Sequence, residues 1–329
     1  MEEPSPFPPG KYEIAIGYFM HKLVRVIKQW RGDMWKRLFS ILVVFTVWGL
    51  LVSPVYAQTD GKEVDNEAKK LFNEGNQAYR AGNVDLALQK YLAAAEKDPD
   101  FALAHYWAGN CYKRKKNYVE AEKAYRRALE ADNHLVKAYI KLGEVLAKQE
   151  KYNDALNTFQ AAINIEKSSS DAYEGMGDIY LKQKNYEKAA EKYQEAVRWD
   201  LQNGDAWRGL GTAYNELGQY AKAAEALQNA VKYTRIKAYK ADAYMRLGDA
   251  YLNLGKLDEA EQAYLNCLKY ARRSSIKGAA NFGLGEVYKK RGNKQKALAY
   301  YEKAKQSRTW KKAAEYEIEL IKNPDKYAY

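Results

Sequence analysis

Few residues in this chain could carry covalent or metal chemistry, and they lie far apart. The two cysteines, Cys111 and Cys267, form no C-x-x-C pair and no disulfide framework. The three histidines, His21, His105 and His134, share no metal-ligand spacing with each other or with the cysteines. There is no G-x-S-x-G, no P-loop and no Rossmann fingerprint. Carboxylates are plentiful, but they follow helix surfaces, and no pair stands out as an acid–base couple. We therefore expect no enzyme, no cofactor and no metal. What remains is recognition by charge. The chain holds 54 Lys and Arg against 42 Asp and Glu, a net charge of +12. Such a balance attracts nucleic acid, anionic lipid or acidic protein. Both signs are mixed along the whole length, however, which is the pattern of solvated helix faces.

The elements that must position these charges are helical. Prolines number only 7 in 329 residues, and Ala, Lys and Glu abound. Beyond residue 67 the sequence repeats. Glycines recur at Gly75, Gly109, Gly143, Gly177, Gly211, Gly248 and Gly285, four times at a spacing of 34 and twice at 37. Twelve residues after each stands an alanine, from Ala87 to Ala297. Four further on stands a bulky residue: Tyr91, Tyr125, Phe159, Tyr193, Leu227, Tyr264 and Tyr301. Three further again comes a small one, Ala94 through Ala304, with Cys267 in the sixth copy. A glycine inside a helix costs about 1 kcal/mol relative to alanine, and that cost is tolerated where a second helix must come close. Seventeen of the 29 tyrosines fall on recurring positions, which marks them as packing residues. The two 37-residue spacings predict a lengthened second helix or following loop, around 233–240 and 270–277.

This pattern resembles the tetratricopeptide repeat, a helix–turn–helix unit of about 34 residues with a W-x2-L-G-x2-Y…A-x3-F signature. The fifth copy matches best, through Trp207, Leu210, Gly211, Tyr214 and Ala223, with Leu227 where an aromatic is usual. The resemblance implies an all-α, right-handed superhelical solenoid. Seven repeats are expected at 68–101, 102–135, 136–169, 170–203, 204–240, 241–277 and 278–309, followed by a capping helix and tail at 310–329. His105, in the usual tryptophan position of the second copy, is expected in the core, and both cysteines are expected buried.

Ahead of the repeats, residues 38–52 (LFSILVVFTVWGLLV) are apolar and uncharged behind Lys36 and Arg37, and Val55-Tyr56-Ala57 offers a cleavage site. These are the parts of a secretory signal peptide. Met34 would give it an ordinary start, leaving 1–33 as an over-extended reading frame or a cytoplasmic segment. Uncleaved, residues 38–57 would serve as a membrane anchor. Either way 34–57 is the export segment and 58–67 a linker, and the repeats are expected outside the cytoplasm, in a bacterial periplasm or envelope.

In the family the first helix of each repeat lines a concave groove that holds peptides or partner helices. Carried over, the groove positions here are Asn73, Asn76, Tyr106, Asn110, Lys137, Lys141 and Glu144, then Asp171, Asp178, Asp205, Arg208 and Thr212, then Asp242, Asp249 and Glu286. The early repeats offer aromatic, amide and basic groups and the middle ones acids, which suits a partner with an acidic end and a basic middle. The carboxylate clamp of some members fits at Asn76, Lys137 and Lys141 but fails at Phe72 and Trp107. A protein-binding scaffold is thus the expected function. Polysaccharide binding through Tyr106, Trp107 and Trp207 is the alternative, and RNA binding is disfavoured by export.

Overall fold

A computed structural model describes residues 64–324. They belong to a unit separate from Met1–Gly61, and the export segment at 34–57 lies outside the described residues. Every regular element among the described residues is a helix: α1 (Asn66–Arg80), α2 (Val84–Lys97), α3 (Ala102–Arg114), α4 (Tyr118–Ala131), α5 (Val136–Lys148), α6 (Tyr152–Ile165), α7 (Ser170–Lys182), α8 (Tyr186–Trp199), α9 (Gly204–Glu216), α10 (Tyr220–Tyr233), α11 (Lys237–Asn253), α12 (Leu257–Tyr270), α13 (Ser274–Lys290), α14 (Lys294–Lys305) and α15 (Lys311–Lys322). Each helix packs on the next, and from α3 onward each odd-numbered helix up to α11 also touches the following odd one. The result is a solenoid of helical hairpins whose apolar faces are covered only by stacking, with α15 closing the end on Ala314 and Ile318. None of the described helices is long and apolar enough to cross a membrane.

The repeating glycines act as predicted from their spacing. An added Cβ at any of the seven would sit 2.4–2.8 Å from the bulky residue sixteen positions later. These bulky residues are the largest fully buried side chains of the solenoid. In three copies a second glycine, two residues ahead of the periodic one, meets the ring of the preceding repeat from its other side. Gly175 meets Phe159, Gly209 meets Tyr193 and Gly283 meets Tyr264, each with an added Cβ 2.3 Å from the ring. Ring and backbone are thus in contact on both faces.

Within each hairpin the turn needs one residue in the left-handed region. Gly82, Gly218, Gly255 and Gly292 supply it freely, whereas Lys116, Glu150 and Lys184 adopt it at φ near +60°. For a residue with a Cβ that conformation costs about 1–2 kcal/mol. Part of the gain from relieving it is lost to the larger unfolded-state entropy of glycine. Lys184→Gly is therefore expected to raise stability by about 0.5–1 kcal/mol in urea unfolding; no gain would mean that the turn is not strained.

The extra residues of the 37-residue spacings fall within the expected stretches, 233–240 and 270–277, but in a different element. The second helices α10 and α12 keep the 14-residue length of their counterparts. The following first helices, α11 and α13, grow to 17 residues from the usual 13, and the turn before each shortens by one residue. Three of the four earlier turns begin with Asp98, Asp132 or Asp200, whose carboxylate holds the backbone N–H two residues on, and the fourth begins with Glu166, which accepts from the Ser168 hydroxyl instead. Thr234 and Ala271 begin the later turns without such a bond, and the next helix starts a turn sooner.

Candidate functional site

The first helices α3, α5, α7 and α9 enclose, with the turns beside them, a cavity of about 950 Å³. The side formed by α3, the turn after it and α5 is mostly basic, with Lys113, Arg114, Lys116, Lys141 and Lys148 around a single carboxylate, Glu144. The other is acidic, with Asp171, Glu174, Asp178, Asp200 and Asp205. The acidic wall follows from helical spacing, since residues 171, 174 and 178 fall on one face of α7.

The residue after each periodic glycine has a second duty. Tyr91 donates its hydroxyl proton to Asn76 Oδ1 at 2.8 Å, Tyr125 to Asn110 at 2.8 Å, Tyr193 to Asp178 at 2.5 Å and Tyr264 to Asp249 at 2.8 Å. Tyr301 donates to Glu286 in the same way. Where the buried residue has no hydroxyl the partner changes. Opposite Phe159, Glu144 turns to Lys113 and Lys141 (2.6 Å to the latter). Opposite Leu227, Thr212 bonds its own helix at the Arg208 carbonyl. Five groove positions, Asn76, Asn110, Asp178, Asp249 and Glu286, therefore also tie the groove floor to the core.

The remaining groove positions divide. Asn73, Lys137 and Asp171 are exposed. Tyr106, expected in the groove, is buried instead, its ring 5.9 Å from Tyr125 and 5.7 Å from Trp107. The space at the failed clamp positions is filled by rings: Phe72 packs on Tyr91 and Phe101, and Trp107 on Tyr79 and Tyr91. Trp207 donates its indole N–H to the Leu201 carbonyl. The aromatics available for stacking sugars are thus engaged in packing or in bonds to the backbone. His105 is buried and bonded through Nε2 to the Pro99 carbonyl at 3.0 Å, while His134 is exposed. Both cysteines are buried and free, with burial pushing the Cys111 thiol up to about 11.

Beyond the cavity a chain of charges runs along the first helices. Arg208 reaches Asp242 at 3.5 Å and Asp205 at 3.6 Å, and Arg246 reaches Asp242 at 3.0 Å. Burial works against the Arg208 charge, but Asp242, Asp205 and Asp178 outweigh it. The pairing is incomplete, since Asp205 Oδ1 and Arg208 Nε are shielded from solvent and make no hydrogen bond.

Sequence reasoning missed Glu174. Its carboxylate accepts from Asn203 Nδ2 at 2.7 Å. Burial first, and then Asp178, Asp205 and Asp171, lift its pKa from the ordinary 4.5 to about 7. Asp178 is raised by the same burial, against the opposing Tyr193 hydroxyl. The helical spacing from Asp171 was visible in the sequence; the crowding of carboxylates around it depended on how α7 meets α9.

This arrangement defines a helical-repeat scaffold with a charged groove. Three family models described as tetratricopeptide repeat match residues 72–135 and 140–206, 180–240, and 239–309, and the chain belongs to the tetratricopeptide-repeat family. Among solved structures it is similar to YrrB, described as a TPR protein with an unusual peptide-binding site. The two are 26% identical with a TM-score of 0.50, over 57% of this chain and 94% of that one. It is also similar to the C-terminal part of a TPR repeat-containing protein from Cytophaga hutchinsonii (17% identity, TM-score 0.58, 75% and 99% of the chains). A third is PilW, described as a widely conserved type IV pilus biogenesis factor (16%, 0.55, 62% and 94%). Comparison with curated proteins finds no match.

Proposed function

We propose that the chain is an exported bacterial scaffold that holds an extended peptide or helix of another protein in the cavity between α3 and α9, without catalysing a reaction. The observation that carries this is the presence of a basic side and an acidic side in one cavity of about 950 Å³. The peptide-binding site described for YrrB supports it, and the sequence of segment 34–57 supports export to the periplasm or envelope, where a role in assembly or secretion fits. The acidic end of the partner meets Lys113, Lys141 and Lys148, and its basic middle meets Asp171, Glu174 and Asp205.

Glu174 gives a test with two opposite signs. A carboxyl whose folded pKa is raised binds more protons folded than unfolded between pH 4.5 and 7. Stability falls as pH rises through that window, because the folded state must then carry an uncompensated buried charge. Glu174→Gln is expected to raise the melting temperature at pH 8 and leave it nearly unchanged at pH 4. In fluorescence anisotropy, a peptide with an acidic end and a lysine-bearing middle should lose about tenfold or more in affinity to the same variant. Lys141→Glu should weaken the acidic end similarly. A stabilising Glu174→Gln that bound such peptides unchanged would show the carboxylate to be idle, and failure of every such peptide to bind would remove the proposed groove.

A further inference from the structure

The turns that join one hairpin to the next lie along one edge of the solenoid, and their charge changes along the chain. Contacts between successive turns establish the edge. The backbone of Gly204 abuts Tyr233 and Thr234, and Gly278 abuts Ser307 and Trp310. Lys240 and Lys269 both lie over the ring of Tyr270. The first four of these turns contain Asp98, Asp132, Glu166 and Asp200. The stretches 231–240, 268–278 and 303–314 contain no acidic residue at all. In their place stand Arg235 and Lys237, then Arg272, Arg273 and Lys277, then Arg308 and Lys311, all exposed and none of them in an ion pair among the described residues.

The same edge carries exposed apolar side chains. Of the eleven large hydrophobic residues left exposed among those described, four belong to two consecutive turns and the helix ends beside them: Trp199 (45%), Leu201 (61%), Ile236 (52%) and Tyr239 (38%). Asp200, in the first of those turns, holds the Gln202 N–H and lines the cavity. Exposed aliphatic and aromatic tips next to unpaired Arg and Lys are the chemistry of a surface that sits at a bilayer interface. The apolar tips enter the headgroup region while the long basic chains reach anionic headgroups. Single-stranded nucleic acid would instead need free aromatic platforms. Here the Tyr270 ring is already stacked on Tyr244, 5.8 Å apart and 7° from parallel; the rings of Trp199 and Tyr239 each carry a guanidinium on one face, Arg198 at 5.8 Å and Arg208 at 5.1 Å; and Leu201 and Ile236 offer no stacking face.

We propose that this edge, from Trp199 to Lys311, docks the solenoid on an anionic lipid surface. Docked so, Arg235 and Ile236, which also stand at the mouth of the cavity, bring the groove beside the membrane.

The test uses the full chain with an environment-sensitive probe at Tyr239→Cys, and a control probe at Gln219→Cys in a turn within the fifth hairpin. Cys111 and Cys267 are buried and do not compete for label. Vesicles of phosphatidylglycerol and phosphatidylcholine carrying nitroxide lipids should quench the probe at 239 and leave that at 219 bright. Vesicles of phosphatidylcholine alone should quench neither. Each basic residue contributes about fivefold to anionic-surface affinity, so R235E/R272E/R273E should weaken quenching at 239 about 100-fold with an unchanged melting temperature. Because the readout is local, insertion of residues 38–57 does not mimic it. Equal quenching on neutral and anionic vesicles, or quenching at 219 equal to that at 239, overturns the proposal. So does a response of the 239 probe to an oligonucleotide or an acidic peptide in preference to anionic vesicles.

Discussion

Replacing Tyr193 by alanine is expected to remove about 3–5 kcal/mol of stability, the range for deleting a buried aromatic. The upper half of that range is expected for two reasons. The ring is fully buried between Gly177 and Gly209, and neither glycine has a side chain that could relax into the void. The hydroxyl also bonds Asp178 at 2.5 Å, so truncation removes that charge-assisted hydrogen bond as well. Burial and Asp178 together hold that hydroxyl far above the usual tyrosine range, so it stays a donor at any pH the fold survives. Tyr193→Phe separates the two effects and should cost about 1–2 kcal/mol. Stability in a solenoid is a sum of local and nearest-neighbour contributions. Hydrogen exchange should therefore show α7, α8 and α9 losing protection first while α1 and α15 keep theirs. A loss below about 1 kcal/mol for Tyr193→Ala in urea unfolding would mean that the ring is not the fastener between these repeats.

The glycine and ring positions could be read from the sequence because they recur at a fixed distance, and a seven-fold coincidence has no other source. The second glycines, Gly175, Gly209 and Gly283, occur in only three copies and carry no comparable signal. The groove was legible as a set of positions but not as a set of free side chains. Helical spacing says that Asn110 and Tyr106 lie on related faces. It does not say that the Tyr125 hydroxyl arrives at Asn110, or that Trp107 and Tyr125 cover Tyr106. Those outcomes depend on the ring supplied by the following helix. The element that absorbs the three-residue insertion has a similar cause. Its length and its place are in the sequence, but that it extends the following first helix rather than the second helix or the turn depends on how each turn is bonded, as Asp200 and Thr234 differ in doing. Glu174 went unnoticed because a carboxylate on a helix face is ordinary until the next helix brings Asp205 and Asn203 to it.

Widening the contact rather than emptying it should be nearly as damaging. At Gly283 an added Cβ would lie 2.3 Å from Tyr264 Cζ and 2.6 and 2.7 Å from its Cε atoms, and Gly248 presses on the same ring from behind at 2.5 Å. The ring has no direction in which to yield, so α13 must lift away from α12. The same helix is locked to the following one through Gly285 and Tyr301. Overpacking of this kind costs about 1–3 kcal/mol and occasionally more. For Gly283→Val the upper end, about 3 kcal/mol, is expected, because a β-branched side chain has few rotamers with which to avoid the ring. Other repeats bound the argument. Trp107 and Lys141 occupy this position beside Tyr91 and Tyr125, so the stack can be built with a side chain there when neighbouring residues have settled around it. In the repeat pair where the position is Arg246, the buried residue is Leu227 rather than a ring. Tyr264→Leu in the Gly283→Val background should accordingly recover part of the loss, although Tyr264→Leu alone is destabilising. A double-mutant cycle in urea would then show a coupling of about 1 kcal/mol or more of compensating sign. Strict additivity would mean that the valine acts through helix propensity alone, and that the ring is not held on its second face.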